Sequence, residues 1–462
     1  IRRERQFPVL PLAVPIGANA DLDPAGLMHY SAIALFVERA KAISPDFALT
    51  PEDGLPLAIE LVAARIGVLP PQVLLERLSA RLMLHSDGLR DLSERHRTLH
   101  QAIDWSYALL TPGEQELFAR VSVFVGGWTL EAAERVAFGP SAHPSPAAVD
   151  ALTSLVHHSL VVQRERGGEP RFTLLEMVRA YASERLAESD KEQMVRQYHA
   201  EYCLALAEEA DPHLRTAEQL VWLDRLEAER GNMRAALTWV LERKADAVRG
   251  LRLAGALGWF WNMRSHVSEG RNWSTRALQM GKHASPALRA KVLHRSGTLS
   301  WPGDLPLARS LVEESIVIFR EQGPAQYWDL AHALTGFALI MTYETDCEAV
   351  QSACEEALVL FQQLQDQWGA ALALCVLGEA HLLRYDYTGA CTHFEESLTL
   401  FRQTGDKWGM GMPLLNWGYT DSLQGNLDAA RDRLEESIAM LRQVGERTAR
   451  SVTLNILAHV VQ

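Results

Sequence analysis

The chain has 462 residues, 48% of them hydrophobic and 22% charged, with a formal net charge of −13. At about 150 residues per domain this length predicts about three structural units, and the composition excludes a largely disordered chain. A mean hydropathy of −0.08, with no run of about 18 apolar residues, excludes a membrane-spanning helix; the acidic balance argues against a general nucleic-acid coat.

The chain opens on Ile1, and its first residues lack the apolar stretch of a secretory signal. It stops at Gln462 inside an apolar, helix-like run from Asn455 to Val461. Both ends read as cuts in a longer protein. Helices are predicted over Ser31–Ala42, Leu57–Ile66 and Pro71–Leu78, the last with Pro70-Pro71 at its start. With no strand set of their own, these helices read as the back end of a domain.

From about Arg95 to Leu186 the pattern changes. An amphipathic helix is predicted over Leu99–Leu110, and Thr111-Pro112-Gly113-Glu114 is a capping signal for a second over Glu114–Phe124. Gly126-Gly127 breaks the chain, and Thr129 is the expected N-cap of the next helix. A loop over Pro140–Pro146 precedes a helix over Ala147–His157. Ser159–Gln163, Gly167-Gly168 and Arg171–Leu175 then read as strand, turn and strand. Three helices followed by a hairpin is the winged-helix layout. Its expected recognition helix, Ala147–His158, holds an aspartate and no Lys or Arg, so packing within the protein is a better reading than DNA contact.

From about Gln193 to Leu278 the pattern is helical but irregular, and rich in Trp222, Trp239, Trp259, Trp261 and Trp273. Core packing is the first reading of these tryptophans, and a ligand groove the second for some of them. Beyond Leu278 the chain repeats itself. The segments beginning Glu313-Glu314, Glu355-Glu356, Glu395-Glu396 and Glu435-Glu436 align at offsets of 42, 40 and 40 residues, each closing on Phe319, Phe361, Phe401 or Leu441. Trp328, Trp368 and Trp408 recur at 40, and Gly297, Gly336, Gly378, Gly418 and Ala458 at 39, 42, 40 and 40. This periodicity predicts stacked helical hairpins, with the small residues at close helix crossings and the Glu pair near the start of each second helix. The unit is similar to a long tetratricopeptide repeat. The five cysteines form no CxxC pair and read as reduced core thiols, not as disulfides or metal ligands.

Four further motifs complete the pattern: Gly54-Leu55-Pro56-Leu57-Ala58, Phe36-Val37-Glu38-Arg39-Ala40, Asp104-Trp105-Ser106-Tyr107 and Leu175-Glu176-Met177-Val178-Arg179-Ala180-Tyr181-Ala182. Together with Val123-Phe124-Val125-Gly126-Gly127, they make the chain resemble STAND-class regulatory ATPases. More narrowly, it is similar to the NB-ARC-type bacterial regulators that end in tetratricopeptide repeats, often with a LuxR-type DNA-binding domain. The resemblance implies that Pro56 lies against the adenine of a bound ATP or ADP; the residues alone make it a helix start. It likewise implies that Arg3 senses the terminal phosphate, whereas Arg2–Arg5 alone is a solvated charge run.

The departures from that family are specific. No GxxxxGK[ST] stretch occurs, and Gly281-Lys282-His283 lacks both the earlier glycine and the hydroxyl that phosphoryl transfer needs. Ala48–Asp53 runs straight into Gly54, where the family places a helix. Leu175 stands where many relatives carry a diphosphate-contacting histidine.

The expected architecture is therefore mainly α: an ATPase-domain helical remnant over residues 1–90, a winged helix over 91–190, degenerate helical repeats over 191–290, and a solenoid of tetratricopeptide-like hairpins over 291–462. The expected function is that of a fragment of a STAND-type signal-transducing regulator. Its repeats would sense a protein or small-molecule effector, and its winged helix would couple them to a nucleotide switch. This chain alone is expected to be no enzyme and to hold no cofactor, ATP or ADP with magnesium being implied for the full-length relative. It is expected to be cytoplasmic, without membrane or direct nucleic-acid contact, and compatible with self-association. The alternative is a free-standing tetratricopeptide interaction scaffold.

Overall fold

The computed structural model describes residues 94–461, apart from 140–145, 167, 243–245 and 302. The ATPase-like motifs upstream, with Arg3 and Pro56, lie outside the described residues. The chain divides after His199 into two compact units. Among the described residues, no helix is long and apolar enough to cross a membrane.

The first unit contains α1 (Glu94–Ala108), α2 (Pro112–Arg120), a 3-10 turn (Val121–Val123), β1 (Trp128–Thr129), α3 (Leu130–Phe138), α4 (Pro146–His157), β2 (Val162–Arg166), β3 (Glu169–Thr173) and α5 (Glu176–Ala187). The capping box forms as the sequence implies. Thr111 Oγ1 accepts from Glu114 N at 3.4 Å, and Glu114 Oε2 accepts from Thr111 N at 2.7 Å. Thr129 caps α3 by accepting from Ala132 N. The three strands run antiparallel in the order β1-β3-β2, so β1 is a strand that the sequence reading lacks.

The hairpin also lies differently from the sequence expectation. Residues Ser159–Val161 do not begin a strand; they terminate α4. Ser159 takes a positive φ of 53°, and the N–H groups of Leu160 and Val161 donate to Leu155 O, satisfying carbonyls at the helix end. Pairing of Arg166 with Glu169 across the two-residue loop then fixes the register.

Two family-like motifs meet in this unit. Tyr181 on α5 donates to Asp104 on α1 at 2.8 Å, and the Tyr107 and Tyr181 rings pack edge to face. Phe124 stacks on Trp128. A side chain at Gly127, where φ is 102°, would strike Phe172 O at 2.8 Å, so the second glycine of Gly126-Gly127 has both a conformational and a steric reason to be there. Leu175 occupies the N-cap position of α5 and makes no side-chain capping bond.

Helix α6 (Glu192–His213) carries the chain into the second unit, which holds only helices among its described elements. These are α7 (Gln219–Glu242), α8 (Ala247–Met263), α9 (Val267–Met280), α10 (Pro286–Ser300), α11 (Leu305–Gln322), α12 (Tyr327–Tyr343), α13 (Cys347–Leu364), α14 (Gln367–Leu383), α15 (Tyr387–Thr404), α16 (Lys407–Leu423), α17 (Leu427–Val444) and α18 (Thr448–Val460). The pairs α10/α11, α12/α13, α14/α15 and α16/α17 are the predicted hairpins. Phe319, Phe361, Phe401 and Leu441, one from each second helix, are fully buried. Each such burial removes enough apolar surface to contribute about 1.5–3 kcal/mol. Ser397 and Ser437 donate to Ala371 O and Gly411 O at 2.7 Å, tying second helices to their own first helices.

Two details of the repeat differ from the sequence reading. The Glu pairs lie at mid-helix: Glu313 is eight residues beyond Leu305, and Glu395 eight beyond Tyr387. There they take exposed ion pairs from the preceding second helix, Arg320–Glu356 and Arg402–Glu436. Such exposed pairs contribute little to stability. The alignment of Gly336 with Gly378 also slips by two. Gly297, Gly378 and Gly418 each lie eleven residues after their helix start, and the matching place in α12 is Ala338. Gly336 instead lets α12 approach His294 of α10, to which an added Cβ would come within 3.0 Å. Of the cysteines, Cys203, Cys354 and Cys375 are buried, Cys347 and Cys391 are half-exposed, and all five are free thiols.

The crossing at Gly297 is testable. A Cβ there would lie 2.5 Å from Val312 Cγ2 and 2.9 Å from Ala308 O. Overpacking of about 1–3 kcal/mol outweighs the roughly 1 kcal/mol of helix propensity that alanine gains. Gly297→Ala should therefore lower the urea midpoint of the intact chain. Gly113→Ala, with nothing within 4 Å, should not.

Candidate functional site

The site grows out of the turns between repeats. In each, a residue of positive φ precedes a short polar residue. Gln365 (55°) precedes Asp366, and Gly405 (75°) precedes Asp406. The aspartate then caps the first helix that follows, accepting from Gly369 N at 2.9 Å or Gly409 N at 2.8 Å. One carboxylate oxygen remains in each case, and the tryptophan of the preceding repeat takes it. Trp328 Nε1 donates to Asp366 Oδ2 at 2.8 Å, and Trp368 Nε1 donates to Asp406 Oδ2. Both pairs are 38 residues apart, so the interaction belongs to the repeat and not to one accidental contact.

A second layer covers this ladder. Gln219, at the start of α7, donates to Asp406 Oδ1 at 2.6 Å and accepts from Trp408 N at 3.1 Å. Trp259 of α8 meets the Trp368 and Trp408 rings edge-on at 5.1 and 5.7 Å. Arg215 lies over the Trp328 ring at 4.6 Å, and Arg295 over Trp259 at 4.7 Å. The segment that follows α6 and the first helices of three repeats thus share one polar and aromatic layer.

Burial sets the electrostatics of this layer. It pushes Asp406 up to about 6, against the hydrogen bonds from Gly409, Trp368 and Gln219. For Asp366 burial acts in the same direction, but the bonds from His332, Gly369 N–H and Trp328 prevail and hold it at about 2. His332, buried and 3.3 Å from Asp366, falls to about 4 because desolvation outweighs that carboxylate. Farther along, burial raises Glu379 to about 7 while Asn416 donates to it at 2.7 Å.

The winged helix offers a different surface. On α4 the exposed residues are Pro146, Ala147, Val149, Asp150, Thr153 and His157, with no lysine or arginine to reach bases or phosphates. On the hairpin, Arg164 is flanked by Glu165, and both are exposed.

Of the tryptophans singled out in the sequence, Trp222, Trp259 and Trp261 are buried, while Trp239 and Trp273 are partly buried. The repeat tryptophans point into the shared layer. Sequence reasoning missed Asp366 and Asp406 as acceptors, and missed Arg215, Gln219 and Arg295 altogether. The two aspartates carry a signal, the 40-residue step between them in the turn before each tryptophan. Arg215 and Gln219 lie outside the repeat period, and Arg295 lies inside it at a position held by Gly336, Val376 and Asn416 in the later first helices.

Residues 110–187 match the winged helix-turn-helix domain family, and residues 369–443 match the tetratricopeptide repeat family. The chain thus carries a winged helix-turn-helix domain and a tetratricopeptide repeat array. A protein of Mycobacterium tuberculosis named "Putative HTH-type transcriptional regulator" is 33% identical over 402 residues, covering 80% of this chain and 45% of its own length. An uncharacterised protein of the same bacterium is 35% identical over 170 residues, covering 34% of this chain and 43% of its own. The chain therefore spans less than half the length of these curated relatives. A solved STAND protein with a tetratricopeptide repeat sensor from Pyrococcus horikoshii aligns at 12% identity and a TM-score of 0.46, covering 95% of this chain and 63% of that one.

The carboxylate–histidine layer makes stability depend on pH. His332 is held below its ordinary value of 6.5, so its neutral form contributes stability that is complete above pH 6.5 and is lost as pH falls toward 4. Asp366, held below 3.8, adds loss in the same direction, but only below about pH 4. Through His332 alone, acidification from pH 7 to 5 should thus cost about 2 kcal/mol, while Asp406 and Glu379, raised by burial, act in the opposite sense over the same interval. Hydrogen exchange at the amides of α12 and α14 reads this locally. His332→Phe should remove that contribution, so that the parent loses more protection than the variant between pH 7 and 5; an equal response of the two would assign the dependence to other groups.

Proposed function

We propose that this chain is the sensing and coupling portion of a transcriptional regulator. The repeat array receives a protein or small-molecule effector, and the winged helix passes the response to a nucleotide-dependent switch. The observation that carries this reading is the 33% identity over 402 residues to the mycobacterial HTH-type regulator. Because the chain has 462 residues, an alignment of that length must include parts of both units. The polar, aromatic layer in the repeats supports it further, since a solenoid built for stability alone would fill such a place with aliphatic side chains.

In this reading the nucleotide, ATP or ADP with magnesium, belongs to the intact regulator, with Pro56 and Arg3 as its contacts from this chain. The chain by itself performs no catalysis, because its sequence holds no phosphate-cradling loop with the lysine and hydroxyl of GxxxxGK[ST]. The α4 surface, with Asp150 and no lysine or arginine, leaves DNA contact to other parts of the regulator. A differential effector affinity of about 1–3 kcal/mol between two states of the array is enough for a useful switch.

Removing the encoding gene from its host should change a defined set of transcripts. The intact gene should restore them, and a copy carrying Trp368→Ala should not, since that substitution removes the donor to Asp406 and the ring beside Trp259. Full restoration by the Trp368→Ala copy would remove the array from the response. An unchanged transcript profile on deletion would favour a free-standing interaction scaffold.

A further inference from the structure

Beneath the segment that follows α6 lies a group of buried polar atoms whose hydrogen-bonding capacity is unused. Arg295 is 2% exposed. Its stem crosses α8 at Gly258, where an added Cβ would come within 2.7 Å of Arg295 Cδ, so the packing is shaped around it. Its guanidinium lies on the Trp259 ring, its Nε has no hydrogen-bond partner, and no carboxylate stands within ion-pair distance among the described residues. A guanidinium so buried is one of the most costly groups to leave without an anion.

The atoms around it are unpaired as well. Arg215 Nε, Trp259 Nε1, His332 Nδ1 and Asp211 Oδ1 lack partners among the described residues. Three of the five orphans are donors, and two of those carry positive charge. Lys291 already neutralises Asp211, at 3.2 Å through the other oxygen. Burial pushes Asp329 upward, against Lys291, Arg295 and Arg215, and burial holds Arg295 down at about 10, against the Asp211 and Asp329 carboxylates and with Arg215 adding to the effect. Arg215, Lys291 and Arg295 thus face Asp211 and Asp329, an excess of donors and of one positive charge, with the Trp259, Trp328 and Trp368 rings at the border. Arg215 and Lys291 are only half-buried, so solvent reaches the cluster from their side.

We propose that this cluster is the effector site of the repeat array, and that its effector is a small organic acid whose oxyanion pairs with Arg295 and Arg215 while its carbon body lies against the tryptophan rings. The proposal deepens the regulatory reading above and rests on it for the word effector. The binding chemistry stands on the geometry alone. An oxyanion supplies acceptors to the orphan donors and a direct ion-pair partner for Arg295, which Asp211 and Asp329 reach only at longer range, and the ring faces favour an acid with a flat or apolar body.

The test titrates the full chain with benzoate, indole-3-acetate, phenyl phosphate and inorganic phosphate, against chloride at matched ionic strength. Tryptophan fluorescence and the thermal midpoint are the readouts. At least one oxyanion should give a saturable fluorescence change and a raised midpoint. The arms then distinguish a carboxylate from a phosphate head. Arg295→Met and Arg215→Met should each weaken that response by about tenfold or more. Without any oxyanion, Arg295→Met should melt above the parent, because a buried guanidinium with no direct ion pair and an unpartnered Nε is gone. Arg215→Met, at a half-exposed position, keeps the test decisive should Arg295→Met fail to fold. Responses no larger than chloride in every arm, or undiminished in Arg215→Met, overturn the site. A variant that loses the oxyanion response yet restores transcripts in the host overturns its role as effector site and leaves the regulatory reading standing.

Discussion

The repeat unit depends on a carboxylate that serves two partners. Asp366 and Asp406 each cap their own first helix and accept an indole N–H from the repeat before. Capping alone would fix one helix start, and the indole contact alone would fix one ring. Joining both on a single side chain makes the start of each repeat part of the fold of its predecessor. The αL residue just before, Gln365 or Gly405, turns the chain so that the second oxygen faces the earlier repeat. A change at this one position therefore acts on two helices, which is why the aspartate and the tryptophan step together at 40 residues.

The layer around that ladder is costly by the standards of a core. A fully apolar interior would leave no orphan donors, yet Arg295, Trp259 and Arg215 each carry one. Natural cores tolerate such groups where binding or switching offsets the loss. The glycine at 258, which makes room for the Arg295 stem, shows that neighbouring positions are fitted to the arginine. Stability and recognition thus compete at one place. The flanking crossings, with Phe361, Phe394 and Phe401 fully buried, supply the margin that lets this layer remain polar.

The sequence made much of this legible, and the limits have a physical pattern. Elements set by local chemistry were readable: the Thr111/Glu114 capping box, the Thr129 cap, the positive-φ Gly168 of the hairpin and the heavy Phe319–Phe361–Phe401 marks. Features decided by pairing across the chain were not. The hairpin register could not be read from Ser159–Val161, because whether those residues extend a strand or close α4 depends on the αL turn at Ser159. The slip at Gly336 has the same origin, since a glycine at a crossing is needed wherever another helix comes near, and α12 meets α10 two residues earlier than its counterparts meet their partners. The site was the least legible part. Arg215 and Gln219 come from outside the period, Arg295 stands at a place where the other repeats carry Gly336, Val376 and Asn416, and only the fold brings the three to this layer.

An open solenoid transmits little between distant repeats, because each unit touches only its neighbours. This array is not open in that sense. Gln219 bonds Asp406 and the Trp408 amide, Ser265 bonds Glu446 and the Arg447 amide, and Trp259 reaches both Trp368 and Trp408. These contacts cross 109 to 189 residues of sequence and connect the first helices of the unit to its later repeats. With both ends held, a shift of α10 at Arg295 has to be accommodated by α8, and through Trp259 by α14 and α16, instead of decaying one repeat at a time. Closure of this kind turns a sum of nearest-neighbour stabilities into a cooperative element with few states, and such an element is what an effector needs in order to bias a switch at a distance.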